Sequence, residues 1–383
     1  MSTVLVVFGT RPEAVKMAPV IWALRDHPAL DALVCVTGQH REMLDQVLDL
    51  FAIQPDRDLA LMQEDQALAD ITAASLTTVA SLLAEVLPDL VLVQGDTCSA
   101  MAAAMAAFFA RVPVGHVEAG LRTWDLNNPY PEEMNRRVIS TVGTLHFAPT
   151  AAARDALLSE GVPPDRVYLT GNTVVDALKA VTERAARAVP PVEPGRRLLL
   201  VTAHRRENFG RPLEDICRAL RAIADRHPEV DLVYPVHLNP NVREPVFRWL
   251  AGHPRIRLID PLDYQTFVGY LARCYFVLSD SGGVQEEAPV LGKPVLVLRV
   301  ETERPEGIAA GATRLVGTDP ACIEAAADEL LTDPAVYASM SQARSLYGDG
   351  HSGRRIVELC ATYLASHPPA GVGRRQTARA PES

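Results

Sequence analysis

Short apolar runs alternate with helix-like stretches along almost the whole chain, and this alternation restricts the fold more than any other feature of the sequence. Val4–Phe8, Leu90–Gln94 and Leu198–Val201 have the length and the β-branched content of buried strands. A longer helical stretch follows each of them. Strands that are joined by helices pair side by side in the same direction, so the sequence predicts an α/β protein built on parallel sheets.

The chain divides near a proline-rich linker, PPVEPG at residues 190–195. Both halves open alike, with an apolar strand, a glycine or small residue, and then arginine and glutamate at the start of a helix. A length of 383 residues is sufficient for two domains. We therefore expect two doubly wound domains that face each other across a central cleft. A tail rich in proline, glycine, arginine and serine follows at residues 367–383, and we expect it to be disordered.

The composition disfavours several classes of protein. A net charge of −10 argues against non-specific nucleic-acid binding, which needs a basic surface. No uninterrupted apolar stretch is long enough to span a bilayer, and the first strand begins without a preceding signal peptide. The six cysteines are scattered, without CxxC pairs or Cys/His spacing. This pattern is typical of a reduced, cytoplasmic protein without bound zinc.

The segment FVLSDSGGVQEEAPVLGKPVLV, at residues 276–297, reads as a strand, a glycine-rich turn and a helix. Glycines let the backbone approach a ligand, and the first amides of a helix have no partner within the helix. Together with the helix dipole, Ser281–Gly283 therefore form a candidate site for phosphate. Glu287 lies just inside the helix, where a carboxylate can accept hydrogen bonds from ribose hydroxyls. An ordinary strand–helix junction with an acidic first turn is the alternative.

Conspicuous polar residues follow many of the predicted strands, where open α/β sheets bind their ligands. Asp96 and Glu118 follow two strands that we expect to be close, and like charges brought together would raise the pKa of one of them. A helix cap is the plainer interpretation of either acid alone. The other polar residues of this kind are Arg11, Lys16, His204, His237, Asp280 and Ser281.

A third candidate acid opens the helix after Pro129-Tyr130-Pro131. Glu132 is a candidate for catalysis, whereas Glu133 reads as an acid that the helix dipole favours in a first turn. His204 is either a loop histidine with satisfied hydrogen bonds or, because arginines follow it, part of an anion site.

Nine motifs in one order carry a resemblance to a known family. They are GTRPEAVKMAP (9–19), QGDT (94–97), HVEAGLRT (116–123), PEEMNRR (131–137), HRRENFG (204–210), YPVHLNPNV (234–242), SDSGGVQEEAP (279–289), TERPEG (302–307) and YGDG (347–350). Over essentially its whole length the chain resembles the non-hydrolysing UDP-N-acetylglucosamine 2-epimerases. The resemblance implies a GT-B-like fold and a homodimer that interconverts UDP-N-acetylglucosamine and UDP-N-acetylmannosamine without NAD or metal.

The resemblance also implies domain limits and residue roles. An N-terminal Rossmann-like domain would cover residues 1–170 and a C-terminal, UDP-binding one residues 171–353, with a helix near 354–366 crossing back to the first. The residues that resemble the catalytic set are Asp96, Glu118, Glu132 and His204. Those that resemble contacts of the UDP-sugar are Arg11, Lys16, Arg136, His204, Phe267, Ser281, Gly282, Gly283, Glu287 and Arg304.

Some relatives bind a second UDP-N-acetylglucosamine as an activator, through residues that resemble Gln39, Arg205 and His237. Acids stand here at Glu42 and Asp65, where some relatives have glutamine and arginine, and two acids would repel a pyrophosphate. We therefore expect activation by substrate to be weak or absent.

Two other functions stay open at this stage. A retaining UDP-sugar glycosyltransferase has the same fold but needs an acceptor. A nucleotide-sugar sensor without catalysis is a second alternative, although the candidate acids argue against it. A hydrolysing epimerase would release free N-acetylmannosamine and UDP, and the GTRPE sequence favours the non-hydrolysing branch.

Overall fold

The structure is a computed structural model that describes residues 1–38, 41–61, 66–302, 304–342 and 346–368, with the side chains of 41–43 excepted. The described chain forms two compact units. The first contains Met1–Ala177 together with the C-terminal segment from Gly348, and the second contains Leu178–Tyr347. Of the predicted tail, residues 369–383 lie outside the described residues.

The first unit is built on a parallel sheet. Its elements are β1 (Ser2–Phe8), α1 (Arg11–Asp26), β2 (Leu30–Val36), α2 (Arg41–Leu50), β3 (Arg57–Asp58), α3 (Leu68–Val86), β4 (Leu90–Gln94), α4 (Cys98–Phe109), β5 (Val114–Val117), α5 (Glu132–Val142), β6 (Leu145–Ala148), α6 (Ala151–Ser159), β7 (Val167–Leu169) and the start of α7 (Thr173–Ala188). The strands lie in the order β3-β2-β1-β4-β5-β6-β7.

The second unit repeats this plan. Its elements are β8 (Arg197–Thr202), α8 (Arg211–Arg226), β9 (Val230–Pro235), α9 (Pro240–Leu250), β10 (Ile256–Ile259), α10 (Tyr264–Arg273), β11 (Phe276–Ser279), α11 (Gly282–Val290), β12 (Val295–Val297), α12 (Pro305–Ala309), β13 (Thr313–Leu315), α13 (Pro320–Thr332) and α14 (Pro334–Met340). The parallel strands lie in the order β10-β9-β8-β11-β12-β13.

The strand order reverses once in each sheet, beside β1 in the first and beside β8 in the second. Doubly wound sheets bind ligands beyond the carboxyl ends of the strands at such a point. In the first sheet β1 pairs with β4 and β4 pairs with β5, and in the second sheet β8 pairs with β11. The predicted α/β class with parallel sheets is confirmed, and so is the closeness of the strands that precede Asp96 and Glu118.

Both sheets are covered by helices, because their strands are apolar on both faces. The consecutive residues Val4–Val7 of β1 and Leu199–Val201 of β8, which alternate between the two faces, are at most 1% exposed. In the first unit the alanine-rich helix α4 packs closely on α3. By length and composition α3 is a helix that could cross a membrane, a property that core helices of water-soluble proteins share.

The last helix, α15 (Ser352–Ser366), belongs to the first unit and packs on α1. A Cβ atom on Gly353 would lie 2.8 Å from the backbone carbonyl of Pro19, so glycine permits this close approach. The apolar face of α15, with Ile356, Val357 and Cys360, is buried. The final helix therefore returns to the unit in which the chain began.

Candidate active site

Glu118 is held by three donors from different elements of the first unit. Glu118 directly follows β5, is 8% exposed, and has a backbone φ of +64°. The carboxylate accepts hydrogen bonds from Lys16 Nζ of α1, Gln94 Nε2 of β4 and, at 3.0 Å, Asn172 Nδ2. These donors determine where the two carboxylate oxygens lie. Gln94 and Asn172 were not identified from the sequence.

Asp96 lies in the turn that joins β4 to α4. Nη1 of the buried Arg136 is 3.6 Å from Asp96 Oδ2, and Asn135 donates a hydrogen bond of 2.7 Å to the Asp96 carbonyl. Asp96 and Glu118 therefore each have a cationic neighbour of their own. The sequence argument, which paired the two acids with each other, did not anticipate this.

Glu13 is a buried carboxylate behind these groups. Its Oε2 accepts hydrogen bonds from the backbone amides of Gly9, at 3.0 Å, and Thr10, at 2.7 Å, while Oε1 accepts one of 2.8 Å from Thr97 Oγ1. Burial raises the pKa of Glu13, although these hydrogen bonds lower it. The side chain joins the turn before Arg11 to the turn that carries Asp96. Glu13 was not singled out from the sequence, although the Thr-x-x-Glu pattern at residues 10–13 is a capping-box signature that could have indicated it.

Glu133 organises the loop that precedes α5. It is fully buried and accepts hydrogen bonds from the amides of Thr123, at 3.1 Å, and Trp124, at 3.2 Å. Its oxygens also lie 3.4 Å from Arg136 Nε and 3.1 Å from Arg137 Nε. Glu133 therefore positions the loop and the two arginines, which is more than the first-turn role that the sequence suggested.

Two buried polar atoms near the start of α5 point to a ligand. Oε2 of Glu132 and Nη2 of Arg136 have no hydrogen-bond partner within the described residues. An unpaired buried polar atom costs free energy of about 1–3 kcal/mol, and more when the group is charged. An acid and a cation in this state can serve a substrate that carries a proton to be moved and an anionic group.

In the second unit, Asp280 holds the loop that carries His204. Asp280 is fully buried at the end of β11. Its Oδ2 accepts hydrogen bonds from the amides of His204, at 2.8 Å, and Arg205, at 2.9 Å, and from Asn208 Nδ2, at 3.0 Å. The Tyr234 hydroxyl donates a hydrogen bond of 2.6 Å to the carbonyl before His204. The ends of β8 and β11 are thus tied together, and this fixes the position of His204.

The His204 imidazole is half-exposed and stacks on His237, with ring centroids 5.5 Å apart. Its Nδ1 lies 3.8 Å from Asp280 Oδ1. Partial burial lowers the pKa of His204 below the usual 6.5, and Asp280 raises it, while His237 and Arg205 lower it further. The imidazole is therefore mainly neutral at pH 7, and it can accept a proton or donate its remaining N–H.

The amino end of α11 has the features of an anion site. Ser281 is the N-cap, and its side chain makes no capping hydrogen bond. The Arg304 guanidinium lies against Gly282, where a Cβ atom would be 2.7 Å from its central carbon. A Cβ atom on Gly283 would meet nothing closer than 4.0 Å. Helix amides that have no partner within the helix lie next to a guanidinium here, and the glycine at 283 leaves room for a ligand.

Glu287 and Phe267 lie where α10 meets α11. Glu287 is buried, and Tyr264 donates a hydrogen bond of 2.8 Å to its Oε1. Phe267 is half-buried against an apolar cluster that contains Val284 and Ala288. This arrangement offers a carboxylate and an aromatic ring beside the anion site of α11.

The predicted activator residues are placed only in part. Arg205 and His237 lie beside His204, whereas Gln39, Asp65 and the side chain of Glu42 lie outside what the structure describes. Weak activation by substrate therefore stays a prediction. In the described part of the chain, no group of three or more His, Cys, Asp or Glu side chains could hold a metal ion.

The neighbours of His204 predict how its titration responds to mutation. We expect NMR titration of ¹³C-labelled histidine, assigned with His204→Asn, to place the pKa of His204 below 6.5. Arg205→Gln should raise this pKa, because the guanidinium disfavours the imidazolium. Arg218→Gln, on the exposed face of α8, is the matched control and should not change it. A pKa of 6.5 or above in the unmutated protein would contradict the electrostatic account.

The chain is similar to known proteins over most of its length. Residues 22–361 match the UDP-N-acetylglucosamine 2-epimerase family. The chain is 52% identical over 365 residues to the UDP-N-acetylglucosamine 2-epimerase of Escherichia coli K12, covering 93% of this chain and 97% of that protein. It superimposes with a TM-score of 0.90 on the Neisseria meningitidis UDP-GlcNAc 2-epimerase bound to UDP-GlcNAc, at 46% identity over 94% of this chain and 100% of the other. The Methanocaldococcus jannaschii enzyme in complex with UDP-GlcNAc and UDP has a TM-score of 0.82 at 30% identity, over the same shares. This chain belongs to the UDP-N-acetylglucosamine 2-epimerase family.

Proposed function

We propose that this protein interconverts UDP-N-acetylglucosamine and UDP-N-acetylmannosamine by eliminating UDP to give 2-acetamidoglucal and then adding it back. The observation that carries the proposal is that two buried atoms of α5, Glu132 Oε2 and Arg136 Nη2, have no hydrogen-bond partner within the described residues, and that Arg136 lies 3.6 Å from the carboxylate of Asp96. The family names, and the nucleotide sugar bound by relatives of similar structure, support the same substrate.

The reaction needs no redox cofactor, because its electrons balance within the sugar. A base removes the proton from carbon 2, and the electron pair of that bond forms the carbon 1–carbon 2 double bond. The bond from carbon 1 to the phosphate oxygen breaks, and its electron pair leaves with UDP. In the return step the phosphate oxygen attacks carbon 1, and an acid delivers a proton to the opposite face of carbon 2.

Inversion requires acid–base groups on both faces of carbon 2. We assign these roles to the carboxylates of Asp96, Glu118 and Glu132, with His204 as a further proton carrier. Negative charge develops on the departing pyrophosphate, and a positioned donor at such a charge accelerates a reaction by about 10²–10³-fold. The donors that we assign to this task are Arg11, Arg136, Arg304 and, of the predicted Ser281–Gly283 amides, those of Gly282 and Gly283, because the Ser281 amide donates to Ser279 Oγ at 2.9 Å.

We assign the nucleotide to the second unit. The amino end of α11 would bind the phosphates, Glu287 the ribose hydroxyls, and Phe267 would lie near the uracil. Lys16, which the resemblance implied as a contact of the UDP-sugar, has another role available, because it pairs with Glu118. Its ammonium group would then hold a catalytic carboxylate in place.

Isotope incorporation tests the elimination. With UDP-N-acetylglucosamine as the only addition in heavy water, we expect both UDP-sugars to carry deuterium at carbon 2 when equilibrium is reached. The reason is that the returning proton comes from a side chain that exchanges with solvent. Mass spectrometry and proton NMR of the products measure this. Epimerisation with full retention of the carbon 2 hydrogen would rule out the mechanism.

The same incubation separates the other functions. A glycosyltransferase makes no UDP-N-acetylmannosamine without an acceptor, a sensor leaves the substrate unchanged, and a hydrolysing epimerase releases free N-acetylmannosamine.

Calorimetric titration with UDP tests the assignment of the nucleotide site. Glu287→Ala should weaken UDP binding about tenfold or more, because it removes a charged hydrogen-bond acceptor for the ribose. Asp96→Asn is the matched control and should leave UDP binding nearly unchanged while lowering the rate of epimerisation. An equal loss of UDP affinity in the two variants would contradict the division of roles.

We also propose that the protein is a homodimer that works in the cytoplasm, and that the dimer forms through the outer face of α3. Ala73, Thr77, Ala80 and Ala84 form an exposed stripe of small residues along this helix. Phe108 and Phe109, at the end of the neighbouring α4, are 54% and 65% exposed. The two helices lead into the adjacent strands β4 and β5, so their ends lie at the same edge of the sheet. A second copy of the chain would remove this apolar surface from water.

Analytical ultracentrifugation checks the dimer. We expect Ala80→Arg to shift the protein from dimer to monomer, because the new side chain would bring an unpaired charge into the contact. Ala338→Arg, at an exposed position of α14 in the second unit, should leave the dimer intact. Either a monomeric unmutated protein or a dimeric Ala80→Arg variant would contradict this interface.

A further inference from the structure

Asn172 is a buried side chain whose two ends make different hydrogen bonds. It lies between β7 and α7 and is 2% exposed. Its Nδ2 donates to Glu118 Oε1 at 3.0 Å, and its Oδ1 accepts from the amide of Val174 at 3.1 Å. The second contact is made in the first turn of α7, where helix amides have no partner within the helix. One side chain therefore joins the start of this helix to a strand-end carboxylate.

The contact with Val174 decides which end of the Asn172 amide faces Glu118. An N–H group can donate only to the amide oxygen, so the NH₂ group must point to the carboxylate. Aspartate has almost the same size and would keep the contact with Val174. It would, however, place an ionised oxygen against Glu118. The position therefore requires an acceptor on one side and a donor on the other, which asparagine supplies.

Asn172 also lies where the chain leaves the first unit and later re-enters it. The division between the units falls after Ala177, within α7, and the chain returns at Gly348. A Cβ atom on Gly348 would be 3.4 Å from the Asn172 nitrogen and 3.5 Å from the Gly171 Cα. The two chain segments are thus in close contact at Asn172, and this packing limits the movement of its backbone.

We propose that Asn172 is a positioning residue that fixes the carboxylate of Glu118 for proton transfer, an inference that rests on the proposed function. Asn172 acts through Glu118 and has no task in nucleotide binding. Its loss should therefore lower kcat and leave UDP affinity unchanged.

The charged surroundings of Glu118 determine the sign of a pH test. Lys16 of α1 contacts the carboxylate, and Asp96 lies at the end of the neighbouring strand. His116 of β5 is held by the Gly95 carbonyl, and burial lowers its pKa to about 3, so it stays neutral above pH 5. A carboxyl group introduced at position 172 would meet the like charge of Glu118, and the pKa of the pair would rise. At low pH one proton is shared between the carboxyl groups of residues 172 and 118 and replaces the hydrogen bond that Asn172 donates. At high pH both groups are ionised, and their repulsion displaces the carboxylate of Glu118.

The test compares Asn172→Asp with the unmutated protein in kcat and in thermal unfolding between pH 5 and pH 9. We expect the ratio of variant to unmutated kcat to fall about tenfold or more as the pH rises through the raised pKa. The variant should also lose Tm relative to the unmutated protein over the same range, because a group with a raised pKa in the folded state stabilises only when it is protonated. Gln54→Glu, which adds a carboxylate at an exposed position of the same unit, is the matched control. Its kcat ratio and its Tm difference from the unmutated protein should not change with pH.

A kcat ratio that does not change with pH, or a loss of UDP affinity equal to the loss of kcat, would overturn the positioning role. A Tm difference that is flat with pH would show that position 172 does not face Glu118. Failure of the proposed function is distinguishable, because the unmutated protein would then form no UDP-N-acetylmannosamine while the Tm comparison still tests the contact.

Discussion

Parallel pairing of the strands is the constraint on which the rest of this structure depends. Because all strands of a sheet point the same way, every turn that follows a strand lies at one edge. Both sheets reverse their strand order once, beside β1 and beside β8, and the polar residues are concentrated there. The fold thus brings Asp96 and Glu118 to one edge of the first sheet. It brings His204 and the amino end of α11 to the corresponding edge of the second.

Buried carboxylates stabilise both of these edges. Asp280 and Glu133 are fully buried, and Glu13 nearly so, and each accepts hydrogen bonds from two backbone amides. Removing a charge from water is costly, so a buried carboxylate persists only where several donors surround it. These acids hold turns and loops in place, whereas Asp96, Glu132 and His204 are the residues that we propose to act on the substrate. The carboxylates that hold the backbone are thus different residues from the proposed acid–base groups.

Adjacent acids in the sequence therefore have different environments. Glu132 and Glu133 are consecutive, yet Glu133 contacts two amides and two arginines, whereas one oxygen of Glu132 has no partner among the described groups. In a helix, successive side chains point about 100° apart, so one can face the loop while the next faces a ligand. Residue type alone does not distinguish these two roles.

The sequence by itself determined the fold class and the approximate limits of many elements, because the periodicity of apolar residues is a local property. β4 begins and ends where the apolar run Leu90–Gln94 predicts, β1 begins two residues before the run Val4–Phe8, and β8 extends one residue beyond each end of the run Leu198–Val201. The two-residue strand β3 was missed, since it is short and exposed and carries no pattern. The motifs likewise indicated Asp96, Glu118, Glu132 and His204 before any contact was known.

Only the tertiary structure decided which residues meet. Glu118 is 54 residues from Asn172 and 102 residues from Lys16 along the chain, and both contacts follow from the strand order and the helix packing. Asp280 likewise reaches back 76 residues to hold His204. A local pattern cannot encode such contacts, because they form only when separate elements pack. The sequence therefore predicted the candidate acids and bases, and the packing of the sheets and helices determined which side chains contact them.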